Sequence, residues 1–216
     1  MVVGADEAGK GPALGPMVAG AVRAAPEDLP AGLADSKELT ATRREELAAE
    51  LREHPGIVVA TAAIEPARID APDTDMNGLG VTAQAEAVAA VAKAGDDVLA
   101  DAADTDEARF ARRLREAVAA AGTAVDVTAE HGADETHAIV SAASIVAKVQ
   151  RDRRMAEIDA KYDREVGSGY PSDPTTRAFL AEYVDEYGGL PACARATWAT
   201  CEDALAAAEQ SGLGEF

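Results

Sequence analysis

Two adjacent acids near the start of the chain, Asp6 and Glu7, stand inside Gly4-Ala-Asp6-Glu7-Ala-Gly9-Lys10-Gly11-Pro12, the stretch richest in chemical possibility. It nearly spells a phosphate-binding loop, GxxxxGK followed by Ser or Thr. Position 11 is glycine, so the hydroxyl that would hold magnesium is missing. The two carboxylates would repel the phosphates such a loop cradles, and Pro12 and Pro16 oppose the helix that should follow. That reading fails. Paired carboxylates instead suit a hard cation such as Mg²⁺, which takes carboxylate oxygens and water. On a regular strand the two side chains would point to opposite faces, so they are expected to meet one metal cluster only if the strand ends there, as Gly9 and Gly11 permit. The dipeptide taken alone equally suits a solvated acidic turn.

Further acids recur downstream. Asp101 follows the short apolar run DVLA, at a place where a sheet edge presents groups to a cleft; Asp104 and Asp106 are rivals in ADAADTDE. Asp134 precedes a helix expected to begin near Glu135, where it would serve equally as an N-cap. The histidines are His54, His131 and His137, and His137 reads as structural.

The elements that must position these groups alternate. Residues 1–5, 17–24, 56–64, 97–100 and 124–129 read as strands, from β-branched runs bounded by turn residues. Helices are expected over 35–53, 78–94, 107–121 and 135–162. Five strands with interleaved helices predict an α/β domain on a mixed sheet. GSGYPSDP then reads as a loop, and further helices broken by GGLP occupy 175–208. The expected division is a core of 1–166, a helical extension of 167–208 and a flexible tail of 209–216.

Of the 216 residues 39 are acidic and 20 basic, a net charge of −19. Phosphate binders usually carry a basic footprint, so the balance argues against nucleic acid unless the acidity is an adaptation to salt. In molar salt the Debye length is about 3 Å, and a global negative charge then barely repels DNA. Lysine is scarce: Lys10, Lys37, Lys93, Lys148 and Lys161. Cys193 and Cys201 lie in a segment that reads as helical, where they would stand about 12 Å apart, too far for a disulfide. With no apolar span and no basic-then-apolar leader, a cytoplasmic monomer is expected.

Taken in order, several of these stretches resemble ribonuclease HII. GADEAGKGPALGP is similar to the family's opening signature. Asp35-Ser36-Lys37, Asp101 after DVLA, Ala133-Asp134, Ser141-Ala-Ala-Ser144-Ile-Val-Ala-Lys148 and Gly167-Ser-Gly-Tyr170-Pro171 follow in the family's order. The resemblance covers residues 1 to about 200. It implies a ribonuclease-H-like fold and two-metal catalysis with Mg²⁺ or Mn²⁺ on Asp6, Glu7, Asp101 and Asp134. The implied substrates are RNA–DNA hybrids and DNA containing ribonucleotides. It also implies a 2′-hydroxyl sensor built from Gly9, Lys10, Gly11 and Tyr170, the 2′-OH being what tells RNA from DNA. Ser36, Lys37, Asn77, Ser141, Ser144 and Lys148 are candidate substrate contacts: the two serines and Lys148 form one polar helical stripe, and Asn77 would cap the helix opening at Gly78. A junction-resolvase-like nuclease and a catalytically silent binding module are the competing readings. The C-terminal Gln210, Leu213 and Phe216 fit a truncated box for docking on a replication sliding clamp, captured in an apolar groove.

Overall fold

The computed structural model describes residues 1–33 and 39–213. Five strands, β1 (Val2–Ala8), β2 (Met17–Ala24), β3 (Val58–Ile64), β4 (Asp97–Asp101) and β5 (Asp126–Glu130), form one sheet in the order β3-β2-β1-β4-β5. β1 pairs antiparallel with β2 and parallel with β4, and β4 is parallel to β5. The helices are α1 (Ala41–Glu53), α2 (Pro66–Ile69), α3 (Met76–Val91), α4 (Glu107–Ala120), α5 (Ala133–Thr136), α6 (Ala138–Asp159), α7 (Pro174–Tyr187) and α8 (Ala199–Leu213), with a 3₁₀ turn at Pro26–Asp28. This is the mixed α/β sheet expected of a ribonuclease-H-like protein.

Contacts divide the chain into two compact units, at places other than residue 166. One comprises Met1–Ala8, Val18–Ala63 and Asp75–Arg151; the other Gly9–Met17, Ile64–Thr74 and Asp152–Phe216. In the first, α6 lies directly on the sheet because β1 and β2 offer glycine where it crosses. A Cβ on Gly4 would run into the Ile139 carbonyl, and one on Gly20 into that of Ala143. The core there is aliphatic: Val22, Leu33, Leu47, Leu51, Ile145 and Val146 bury together. In the second unit Phe179, Leu180, Met155, Leu14 and Val166 pack with both cysteines, while Tyr162 meets Phe179 edge-on at 5.0 Å.

Several boundaries depart from the sequence reading. β1 continues to Ala8 instead of ending at residue 5, since the antiparallel register with β2 holds Asp6 opposite Gly20 and Glu7 opposite Ala19. The helix expected over 35–53 begins at Ala41, with the Thr40 hydroxyl accepting the Arg43 amide; residues 34–38 lie outside the described ones. The helix expected over 135–162 is two, because His137 adopts an extended conformation between α5 and α6. Cys193 is not helical. It lies in the turn before α8 and, like Cys201, is a buried free thiol. α8 runs on through Leu213, so the segment expected as a flexible tail begins as helix.

Candidate active site

Parallel strands align their C-terminal ends, and a crevice for ligands forms there. Asp6 and Glu7 lie in the last three residues of β1, Asp101 closes β4, and Asp134 lies four residues beyond β5. Asp6 is 5% exposed and Asp134 6%. The strand does not end to bring Asp6 and Glu7 together, as the sequence reading required. They follow the ordinary alternation, Asp6 toward Ser144 on α6 and Glu7 toward Gln84 on α3. Asp6 still feels all three other acids. Burial first, then the Glu7 charge, push its carboxyl well above the usual range, with Asp101 and Asp134 adding to the rise. The Ser144 hydroxyl acts in the opposite sense by favouring the ionised form. Ser144 does this without regular hydrogen-bond geometry, its oxygen being buried and otherwise unpartnered. Asp6 Oδ1 also accepts the Glu7 amide at 2.7 Å.

Local devices hold the other acids. Asp101 Oδ1 accepts the Ala133 amide at 2.8 Å, fastening the end of β4 to the start of α5. Asp134 is not the cap of that helix: Gly132 takes the N-cap position with φ 67°, and Asp134 falls in the first turn. Gln84, a residue the sequence reading passed over, donates from Nε2 to Glu7 Oε2 at 2.6 Å and to the Asp101 carbonyl at 3.0 Å. Among the described residues no three Asp, Glu, His or Cys side chains form a closed metal-binding group. The acids share a field rather than a coordination shell, and their oxygens are the donors a hard cation takes.

The rival acids have structural duties. Asp104 binds Arg109 and the Thr105 amide, which hold its carboxyl far below the usual range; Asp106 caps α4 through the Arg109 amide. Asn77 is not a cap either. Asp75 accepts the Gly78 amide, and Asn77 sits inside α3 with Nδ2 donating to Asp104 at 3.3 Å. Ser141 is fully buried and donates to the Leu33 carbonyl. His137 pairs with Glu130 at 2.9 Å. Lys148 is half-buried. Ser36 and Lys37 lie outside the described residues.

In the second unit the loop Gly9–Pro16 is fastened from behind. Arg195, with no solvent exposure, donates to the carbonyls of Gly9 at 2.6 Å, Lys10 at 2.9 Å and Gly15 at 3.0 Å. Trp198 Nε1 donates to the Gly11 carbonyl at 3.2 Å, and its ring lies 5.2 Å from the guanidinium. The Gly169 carbonyl accepts the amides of Ala13 and Leu14 at 2.8 and 3.2 Å. That joins the loop bearing Tyr170, itself 40% exposed, to the glycine loop. Neither Arg195 nor Trp198 was legible in the sequence as a support for this loop.

The ribonuclease HII family model matches residues 3–201. The chain belongs to the ribonuclease HII family. A curated ribonuclease HII from Haloarcula marismortui is 59% identical, each chain covered over its full length. The crystal structure of ribonuclease H2 from Pyrococcus horikoshii superposes with a TM-score of 0.87 at 36% identity, covering 97% of this chain and 99% of that one. A PCNA:RNase HII complex from Archaeoglobus fulgidus gives 0.82 at 35%, covering 94% and 96%. The chain is thus a ribonuclease H enzyme of a divalent-metal-dependent family that acts on RNA–DNA hybrids. Ribonuclease HII relatives from halophilic archaea at 51–59% identity support salt adaptation as the reason for the acidic composition. Among the described residues no helix is long and apolar enough to cross a membrane.

Proposed function

We propose that this ribonuclease hydrolyses the phosphodiester on the 5′ side of ribonucleotides embedded in DNA or in RNA–DNA hybrids, leaving 3′-hydroxyl and 5′-phosphate ends. The observation that supports the reading is buried Asp6, whose ionisation is opposed by burial and by three neighbouring carboxylates. Such repulsion is relieved by a divalent cation, and Asp6, Glu7, Asp101 and Asp134 would hold Mg²⁺ or Mn²⁺. When bound, the metal supplies an activated water and stabilises charge on the departing 3′-oxygen.

The chain's own residues prepare the donors. Gln84 holds Glu7 and the Asp101 backbone from one side of the sheet, while Ser144 favours the ionised form of Asp6 from the other. Recognition falls to Gly9, Lys10 and Gly11 with the Tyr170 hydroxyl, reading the 2′-OH; Ser36, Lys37, Asn77 and Lys148 would contact the strands. Gln210 is exposed on the last turns of α8, and with Leu213 and Phe216, whose side chains lie outside the described residues, it would dock on a sliding clamp.

The test is a DNA duplex carrying one ribonucleotide, incubated in high salt with Mg²⁺ or Mn²⁺ and resolved against ladders of known end chemistry. Cleavage on the 5′ side with a 3′-hydroxyl product is expected. Inactivity across salts and both metals refutes the reading.

A further inference from the structure

A buried guanidinium is costly unless hydrogen bonds satisfy it. Arg195 donates to three main-chain carbonyls of a single loop: those of Gly9, Lys10 and Gly15. Trp198 takes the next carbonyl, that of Gly11, and supplies a ring face to the cation. Three consecutive carbonyls, 9 to 11, therefore point at one pair of side chains.

Planar trans peptides turn that observation into a direction. In a trans unit the C=O and the next N–H are antiparallel, and no peptide of the described residues is cis. With the Gly9 and Lys10 carbonyls drawn toward Arg195, the amides of Lys10 and Gly11 face the opposite way. Gly9 makes this possible with φ 85°, a conformation side chains rarely adopt. Gly11 is exposed, and a Cβ built on it would meet nothing within 4 Å. The Arg195 backbone also donates to Ala13, and Gly15 donates to Cys193, so segments 13–15 and 193–195 are laced together. The loop cannot turn over without stranding the guanidinium.

We infer that Arg195 and Trp198 are positioning residues for substrate recognition: they hold the Gly9-Lys10-Gly11 main chain so that two adjacent amides present outward as paired donors to the sugar or phosphate of the ribonucleotide. The inference rests on the proposed role of that loop. Arginine is required for geometry as well as charge, because lysine has no planar fork to span three carbonyls.

The experiment compares Arg195→Lys and Trp198→Phe with the wild-type chain in steady-state cleavage of the single-ribonucleotide duplex, after circular dichroism has fixed the folded fraction of each. Trp198→Phe keeps a ring in the same place and loses only the donor to Gly11, so it carries the test even if Arg195→Lys fails to fold. A KM raised about tenfold, with metal dependence unchanged, is expected from a loop released by a fraction of an ångström. A merely structural role would lower kcat in proportion to folded protein and leave KM alone. An unchanged KM in every variant that folds overturns the inference. An inactive wild-type chain instead overturns the proposed function, and the inference with it.

Discussion

Gln84→Leu removes a side chain that touches two of the four acid positions. Its Nε2 spends both hydrogens, on the Glu7 carboxylate at 2.6 Å and the Asp101 carbonyl at 3.0 Å, from a fully buried site. Its Oε1 has no partner, so leucine, of similar volume, deletes two bonds together with one unsatisfied acceptor. A bond to a charged group is worth about 1.5–3 kcal/mol and a neutral one about 0.5–1.5. Removing the orphan returns about 1–3 kcal/mol, leaving a net loss centred on about 1 kcal/mol. For a chain of this length that corresponds to a Tm lower by about 2–4 °C. The assay is thermal unfolding of metal-free protein in concentrated KCl, followed by a Mn²⁺ titration of activity. Freed from Gln84, Glu7 should need more metal to settle, and the midpoint should move to higher Mn²⁺. A Tm within about 1 °C of wild type together with an unmoved midpoint would refute the argument that Gln84 holds the site.

Asp101→Asn should reduce kcat by at least about a thousandfold while leaving the circular dichroism spectrum intact; near-wild-type turnover would remove Asp101 from the metal set. Tyr170→Phe, at an exposed position, should leave Tm unchanged and slow cleavage at a single ribonucleotide, and an unaltered rate would defeat its role as sensor. Asp173 caps α7, and the Ser168 hydroxyl and amide hold its carboxyl down to about 2. Its contribution to stability is therefore complete above the unfolded value near 4 and is lost as pH falls from about 4 to about 2. Asp173→Asn should flatten the acid limb of a pH–Tm curve over that window, which an unchanged slope would contradict. Deleting residues 213–216 should weaken capture by an immobilised sliding clamp, measured by surface plasmon resonance; equal binding would rule out the tail as the anchor.

The sequence was most legible where chemistry repeats in order. β2 was readable to the residue because an apolar run between Pro16 and Pro26 has few other fates, and Asp6, Glu7, Asp101 and Asp134 stood out through the order of their neighbours. β1 was cut short because the glycines that follow resemble a strand end, whereas its register with β2 extends it. The break at His137 left no mark, since Ala-Asp-Glu-Thr-His is compatible with an unbroken helix. Gln84 and Arg195 were invisible for a different reason. Each is a polar residue between alanines, and its meaning comes from partners 77 and up to 186 residues away.

Gly4 and Gly20 carry a lesson for reading mutational scans. Both lie where α6 crosses the sheet with no room for a methyl group, and Gly4 stands two residues before Asp6 in the same signature stretch. A library selected only for folding should reject substitutions at Gly4 as strictly as one selected for cleavage rejects them at Asp6. Intolerance across Gly4-Ala-Asp6-Glu7 would then merge two separate demands, close packing at one end and charge at the other. Scoring abundance and turnover in parallel would separate them, with Gly4 falling in both screens and Asp6 in turnover alone.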